Sequence, residues 1–207
     1  RQGNDLYFIL SNGIAGAAQR DLTNNLPFTQ LTSTREIIYD ELTTPNYAGA
    51  ISSNGVPVIW RHQFGGAAAG GGSMVTNVPS GITGVLQLAF NDNKALALLA
   101  NGTVTNWGND TSLNPPSDLT NVRSIAIGDN LGSENRAVAI LTNGSLRLFG
   151  NGITSSQNNI PSNATNIRSV RFFRNNLIAI TATNDGSRVI MWGDDNLQVP
   201  PEATNVE

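Results

Sequence analysis

The sequence predicts an all-β fold built from a repeated unit, and three observations support this prediction. Residues 137–150 form two short alternating runs on either side of Asn143-Gly144, which is the pattern of a β-hairpin. Similar stretches recur, with turn glycines 42, 47, 42 and 42 residues apart at Gly13, Gly55, Gly102, Gly144 and Gly186. A unit of about 40 residues made of short strands is typical of a β-propeller blade.

The hairpins differ in how closely they follow the pattern. Residues 95–108 and 137–150 are the cleanest, and residues 177–193 add two residues before the turn and one after it. Residues 48–60 and 6–18 are looser copies. An Asn-Gly dipeptide at the turn predicts a two-residue type I′ turn, in which both central residues have positive φ.

A second recurring piece completes the unit. Residues 119–128 match residues 164–173, and residues 31–40 and 82–91 are more distant copies. Ala203-Thr-Asn-Val-Glu207 begins a further copy. We therefore expect a single repeat domain over residues 1–207 that is a piece of a longer propeller, with repeats at about 1–47, 48–94, 95–136, 137–176 and 177–207.

Small and large apolar residues alternate in residues 95–99 and 137–141, which predicts closely packed, mostly buried strands. An aromatic residue follows each turn glycine except Gly13 by five residues, or by six in the last repeat, and its expected role is structural packing between neighbouring blades. These aromatics are Trp60, Trp107, Phe149 and Trp192. Prolines beyond them are expected to end the sheet pairing, and no segment shows a helical period.

Composition argues against several functional classes. Only 13% of residues are charged and the formal net charge is −3, which does not favour nucleic-acid binding. Arg168, Arg171 and Arg174 form the one basic cluster, and simple strand alternation predicts that Arg171 opposes the other two. There is no cysteine, so disulfides and thiolate chemistry are excluded. No apolar run reaches the length of a membrane helix, so membrane insertion is not expected.

The sequence offers no recognisable catalytic set. His62 is the only histidine, which leaves no histidine-based metal cluster or catalytic triad. Asp194-Asp195 and Asp40-Glu41 are adjacent carboxylates, and neighbours on a strand point to opposite faces. The Asn- and Asp-rich loops lack the spacing of an established calcium loop. We therefore predict no enzymatic activity, no cofactor and no metal.

The assembled motifs resemble the regulator of chromosome condensation (RCC1-like) repeat family in its bacterial-style short-repeat form. The matching pieces are the A-L-A-L strand, the N-G or D-G turn, the V-x-x-W-G strand, the proline and the L-T-N-V-x-x-I-A-x-G strand. They match clearly over residues 95–207 and less closely over residues 1–94. The resemblance implies a propeller of seven four-stranded blades, of which five repeats are visible here.

The resemblance also implies a partner-binding face. In an inhibitor relative, the loops between the I-A-x-G strand and the A-L-A-L strand form that face. This chain places mainly Asn, Asp and other polar residues there, and it lacks the family's usual histidine before the A-L-A-L strand. The corresponding candidates are Tyr47, Asp92, Asn93, Lys94, Asp129, Asn130, Glu134, Asn135, Arg174 and Asn175.

These observations predict a non-enzymatic scaffold that mediates protein association, either with itself or with another subunit of a surface layer, fibre, appendage or virion. A secreted protein inhibitor is one alternative. A carbohydrate-binding propeller, with Trp107, Trp192 or Tyr47 stacked on a sugar, is another. The neutral, polar composition favours an extracellular or particle-surface location.

Overall fold

The computed structural model of the chain describes residues 6–9, 15–18, 33–39, 47–61, 74–91, 94–109, 111–128, 135–195, 197–200 and 203–204. Over these residues the chain is all-β, as the sequence predicts, with four three-stranded antiparallel sheets and one two-stranded sheet. No helix in these residues is long and apolar enough to cross a membrane.

The sheets follow one another in chain order, and we number them I to V. Sheet I pairs β1 (Leu6–Ile9) with β2 (Ala15–Ala18). Sheet II holds β3 (Thr34–Tyr39), β4 (Tyr47–Ser52) and β5 (Pro57–Arg61), and sheet III holds β6 (Val85–Phe90), β7 (Lys94–Leu99) and β8 (Val104–Gly108). Sheet IV holds β9 (Val122–Ile127), β10 (Ala137–Leu141) and β11 (Leu146–Phe149), and sheet V holds β12 (Ile167–Phe173), β13 (Asn176–Thr183) and β14 (Gly186–Gly193).

Each three-stranded sheet draws on two sequence repeats. In sheet IV, β9 ends one repeat, whereas the β10–β11 hairpin begins the next. The second strand is always central, paired with the first strand on one side and the third strand on the other. The sheet is therefore offset by one strand from the repeat as it reads in the sequence.

The alternation in the central strands determines how the sheets pack. In β10, Ala137 and Ala139 belong to the core shared with sheet III, whereas Val138 and Ile140 belong to the core shared with sheet V. All four side chains are buried. Small residues thus face the preceding sheet and large residues face the following one, which confirms the prediction of closely packed strands. Each large aliphatic residue buried in this way stabilises the fold by roughly 1.5–3 kcal/mol.

The predicted type I′ turn is wrong. The N–H of Gly144 donates to the carbonyl of Leu141 (2.8 Å), and the N–H of Leu141 donates to the carbonyl of Ser145 (2.9 Å). Gly144 has φ +80°, whereas Asn143 is not among the residues with positive φ. This is a three-residue loop with one left-handed glycine, a geometry that the same Asn-Gly pair can serve. The side-chain oxygen of Asn143 accepts from the N–H and the hydroxyl of Ser145, which holds the loop.

A β-bulge recurs at the second residue of the first strand in all four three-stranded sheets. The pairing between β9 and β10 passes from Ser124 to Val122 and skips Arg123, and sheets II, III and V show the same shift. An extra residue in one strand redirects its side chain and increases the local twist. The bulged residues are Arg35, Leu86, Arg123 and Arg168.

The segments between sheets contain short helical turns and no fourth strand among the described residues. A 3-10 turn at Met74–Thr76 precedes β6, and another at Thr111–Leu113 precedes β9. Helix α1 (Ser155–Asn158) precedes β12. The resemblance implies four-stranded blades, but each larger sheet has three strands here. The prolines in these segments have no N–H to donate to a further ladder.

The α-helix is an element that the sequence analysis missed. Thr154 caps its N-terminus, because its hydroxyl accepts from the N–H of Gln157, while the N–H of Thr154 donates to the side chain of Gln157. This reciprocal arrangement is a capping box, and the sequence Thr-x-x-Gln is its signature.

Candidate interaction surface

The predicted partner-binding residues divide into three groups. Tyr47, Lys94 and Asn135 are buried, whereas Arg174 is exposed and Asn175 is half-buried. The remaining candidates lie outside the described residues; they are Asp92, Asn93, Asp129, Asn130 and Glu134. His62 also lies outside them. Among the described candidates, Arg174 is therefore the one that offers a largely exposed side chain to a partner.

The residue immediately before the A-L-A-L motif is buried in every three-stranded sheet. Tyr47, Lys94, Arg136 and Asn176 occupy this position, with exposed fractions of 5%, 4%, 1% and 0%. They lie at the end of each sheet opposite the hairpin turn. Tyr47 and Lys94 are among the candidate contacts that the sequence suggested, whereas Arg136 and Asn176 end two of the candidate loops without being candidates themselves. Their shared position before a recurring strand was the available signal.

Arg136 joins sheets IV and V, whereas Asn176 holds the end of sheet V. The Arg136 guanidinium donates to the side-chain oxygen of Asn175 (3.4 Å) and lies 5.6 Å from the centre of the Phe172 ring. Asn176 donates to the Asp195 carboxylate (2.9 Å) and accepts from the N–H of Asp195 (3.1 Å). Both buried polar residues therefore have hydrogen-bond partners, Arg136 between the two sheets and Asn176 within sheet V.

The adjacent carboxylates serve separate local contacts. Asp194 accepts a 2.9 Å hydrogen bond from the hydroxyl of Thr154, the cap of α1. Asp195 instead pairs with Asn176 on β13. The described residues contain no group of three or more His, Cys, Asp or Glu side chains that could hold a metal ion.

The four repeated aromatics are buried, with exposed fractions of 5–9%. The indole N–H of Trp107 donates to the carbonyl of Val75 (2.8 Å), and that of Trp192 donates to the carbonyl of Gln157 (2.8 Å). Trp107 and Trp192 therefore each hold the short helical segment that precedes their own sheet. A buried ring cannot stack on a sugar without a change in structure, which counts against the carbohydrate-binding alternative.

One exposed aromatic–cation pair lies directly before Asn175 in the chain. Phe173 is 49% exposed, because strand alternation places it on the face of β12 opposite the buried Val170 and Phe172. The guanidinium of Arg174 lies 6.0 Å from the centre of the Phe173 ring. Arg174 has φ +53°, which turns the chain sharply between β12 and β13. We refer to Phe173 and Arg174 as the tip pair.

Two solved structures match the fold of this chain over most of its length. The entire ectodomain of the receptor kinase CR4 from Physcomitrella patens is 16% identical, with a TM-score of 0.56 over 94% of this chain and 50% of that one. The computationally designed protein Ika8 is 14% identical, with a TM-score of 0.50 over 91% of this chain and 56% of that one. At these identities the likeness concerns the fold alone.

A further match is human WBSCR16, which is 16% identical with a TM-score of 0.47 over 86% of this chain and 50% of that one. The chain thus spans about half the length of these solved structures. No protein-family model matches the sequence, and no curated protein matches it.

Proposed function

We propose that the sheets are blades of a β-propeller of the RCC1-like kind, with the first strands nearest the axis. Side chains on first strands bridge directly to the next first strand. Gln87 on β6 donates to the carbonyl of Ile125 on β9 (3.0 Å) and accepts from its N–H (2.8 Å). Arg35 donates to the carbonyls of Val85 (2.8 Å) and Leu86 (2.9 Å), and Arg123 donates to that of Ile167.

The third strands, in contrast, have short segments between them. Met74–Thr76 contacts both β5 and β8, so this 3-10 turn fills the space between the third strands of sheets II and III. Close first strands and separated third strands are the geometry of sheets that fan out around an axis. This difference between the two edges supports the propeller arrangement.

We further propose that this propeller is a non-enzymatic scaffold that associates with protein. The observation that carries this proposal is the tip pair, because Phe173 and Arg174 are an aromatic residue and an arginine in contact on the surface. Arginine and large aromatic side chains are enriched in protein interfaces. The polar side chains nearby are engaged in structural contacts, since Arg136 and Gln157 bond to Asn175 and Asn176 bonds to Asp195.

The test is binding of the purified chain to the assembly from its native source, measured by co-sedimentation and by cross-linking with mass spectrometry. We expect Phe173→Ala/Arg174→Ala to weaken binding at least tenfold, which corresponds to about 1.4 kcal/mol. Leu197→Ala is the matched control, since Leu197 is a similarly exposed apolar residue (45%) outside the tip. Absence of binding by the unaltered chain, or equal binding by the double variant, would contradict the proposal.

A further inference from the structure

We propose that the face of sheet V pointing away from sheet IV binds a second copy of this chain, head to tail. This inference rests on the proposed function of protein association and gives it a surface and a partner. We call this surface the tail face. It consists of Arg168, Arg171, Ile178, Ile180, Val189 and Met191.

Strand alternation defines the tail face. Leu177 and Ala179 of β13 and Trp192 of β14 belong to the core shared with sheet IV. Residues between them along a strand point to the opposite side. Ile178 and Ile180, together with Val189 and Met191 of β14, therefore form an aliphatic surface, and all four are partly exposed.

The same positions are interfaces in the preceding sheets. Leu96 and Leu98 of sheet III are 0% and 1% exposed beneath sheet IV, and Val138 and Ile140 of sheet IV are equally buried beneath sheet V. Among the residues that the structure describes, no sheet covers the matching side chains of sheet V. The tail face therefore continues an interface that is already used inside the chain.

Sheet V also differs from the preceding sheets in the hydrogen bonding of its bulged residue, Arg168. It occupies the bulged position at which Arg35 and Arg123 donate to carbonyls of the following first strand. Arg168 is exposed and has no hydrogen-bond partner among the described residues. By analogy with Arg35 and Arg123, we infer that the bulge brings Arg168 to the side of sheet V that Arg171 also faces.

Arg171 indicates the charge of the partner. In sheets III and IV the equivalent positions hold Ala89 and Ala126, which pack against the following sheet. Arg171 is exposed and donates only to the carbonyl of its neighbour Val170 (3.3 Å). A surface that covers it should supply carboxylates.

A second copy has the required charge. Arg168 and Arg171 take two of the 12 basic residues, which leaves 10 against 15 acidic ones and a net charge of −5 for the rest of the chain. Two tail faces brought together would oppose their arginines, so charge disfavours a symmetric dimer. Head-to-tail contact places this basic face against the acidic remainder of a copy.

The size of the face limits the affinity. Three strands about 4.8 Å apart and roughly 20 Å long cover a few hundred Å², below the about 800 Å² per partner of a standard interface. We therefore expect weak association that becomes effective in an array, where each copy has two neighbours.

The experiment is sedimentation velocity on the whole chain from about 10 μM to about 1 mM, a range that spans weak dissociation constants. We expect the mass to rise with concentration, the association to weaken at high salt, and Arg171→Glu to weaken it at least tenfold. Arg147→Glu is the control, because Arg147 is an exposed arginine on sheet IV that pairs with Asp118 at the surface (3.2 Å). Circular dichroism verifies that each variant is folded.

Three results would overturn the inference. The unaltered chain could stay monomeric throughout the range, or Arg171→Glu could associate as well as the unaltered chain. In the native protein, protection of Met191 from oxidation in a dilute monomeric sample would show that the same polypeptide covers the tail face. A chain that is monomeric but still binds its native assembly through the tip pair would remove this inference and leave the proposed function standing.

Discussion

The carbonyl of Gly144 accepts a 3.0 Å hydrogen bond from the N–H of Ile167, which joins the hairpin turn of sheet IV to the first strand of sheet V. Gly102 and Val122 make the same contact between sheets III and IV (3.0 Å), and Gly55 and Val85 make it between sheets II and III (3.0 Å). The turn glycine therefore has two roles, in the hairpin and between sheets. This recurrent bond sets the spacing of successive sheets at the turn end.

Gly144→Ala should destabilise the protein strongly. A Cβ atom at Gly144 would lie 2.9 Å from the Cα of Asn166, and the residue would have to keep φ +80°. We expect the free energy of unfolding to fall by about 2–4 kcal/mol, from backbone strain and overpacking together. Urea denaturation measures this change.

Gly81→Ala is the control for that prediction. Gly81 also has positive φ (+91°), but a Cβ there would have no atom within 4 Å. Gly81→Ala should lower the free energy of unfolding by about 1–2 kcal/mol, from backbone strain alone. Equal losses in the two variants would show that the contact between Gly144 and Asn166 contributes nothing.

Asn166 should tolerate glycine better than alanine. It has φ +49° and accepts at its carbonyl a 3.0 Å hydrogen bond from the N–H of Ala182. Asparagine and glycine adopt this left-handed conformation readily, whereas in alanine it raises the free energy of the folded state. We expect Asn166→Ala to cost about 1 kcal/mol and Asn166→Gly to be close to neutral. Thermal unfolding of both variants gives the comparison, and alanine tolerated as well as glycine would contradict it.

Arg123 and Arg168 occupy equivalent bulges and should differ in importance for the isolated chain. Arg123 donates to the carbonyls of Ile167 and Leu141 (3.2 Å to the latter), whereas Arg168 has no such partner among the described residues. Arg123→Gln should lower the free energy of unfolding by about 1 kcal/mol. Arg168→Gln should change it by no more than about 0.5 kcal/mol in a dilute sample. A reversed order in chemical denaturation would argue against the role assigned to the bulged arginine.

The tryptophans should be shielded from solvent. Trp60, Trp107 and Trp192 are 6%, 8% and 9% exposed. We expect little quenching of their fluorescence by iodide in the native state and strong quenching in urea. Strong native quenching that a bound glycan suppresses would contradict the structural role of these rings and revive the carbohydrate-binding alternative.

Trp192→Phe tests the polar part of that role. The phenyl ring of Phe149 occupies the equivalent position in sheet IV, so a phenylalanine is expected to fit the site. The variant would leave the carbonyl of Gln157 without the indole donor (2.8 Å). We expect a loss of about 1–3 kcal/mol in the free energy of unfolding, and no loss would contradict this assignment.

Much of the fold could be predicted because the repeat multiplies weak local signals. Alternation in residues 95–99 and 137–141 indicates which side chains share a face, and the recurring turn glycine indicates where each hairpin reverses. The turn type could not be distinguished in the same way, since Asn-Gly suits more than one hairpin geometry. The bulges at Arg123 and Arg168 also escaped prediction, because the extra residue has no composition of its own.

The surface was harder to predict than the strands. Position in a loop suggested that Tyr47, Lys94 and Asn135 are accessible, but all three are buried. The alternation of side chains along a strand predicts which face of the sheet a residue occupies. It does not predict what covers the end of that strand. Alternation does place Phe173 on the same face of β12 as Arg171, but it does not show that no described sheet covers this face.

The most direct test of the central claim, that the sheets fan out around an axis next to their first strands, is a pair of distances between sheets III and V. The sequence has no cysteine, so spin labels react only with cysteines that are introduced by substitution. One doubly labelled protein carries them at Leu86 and Arg168 on first strands, and the other carries them at Thr105 and Ile190 on third strands. Pulsed electron resonance on the two doubly labelled proteins should give a clearly shorter distance for the first-strand pair. Equal distances would mean that the sheets are stacked in a line, and the propeller arrangement would be wrong.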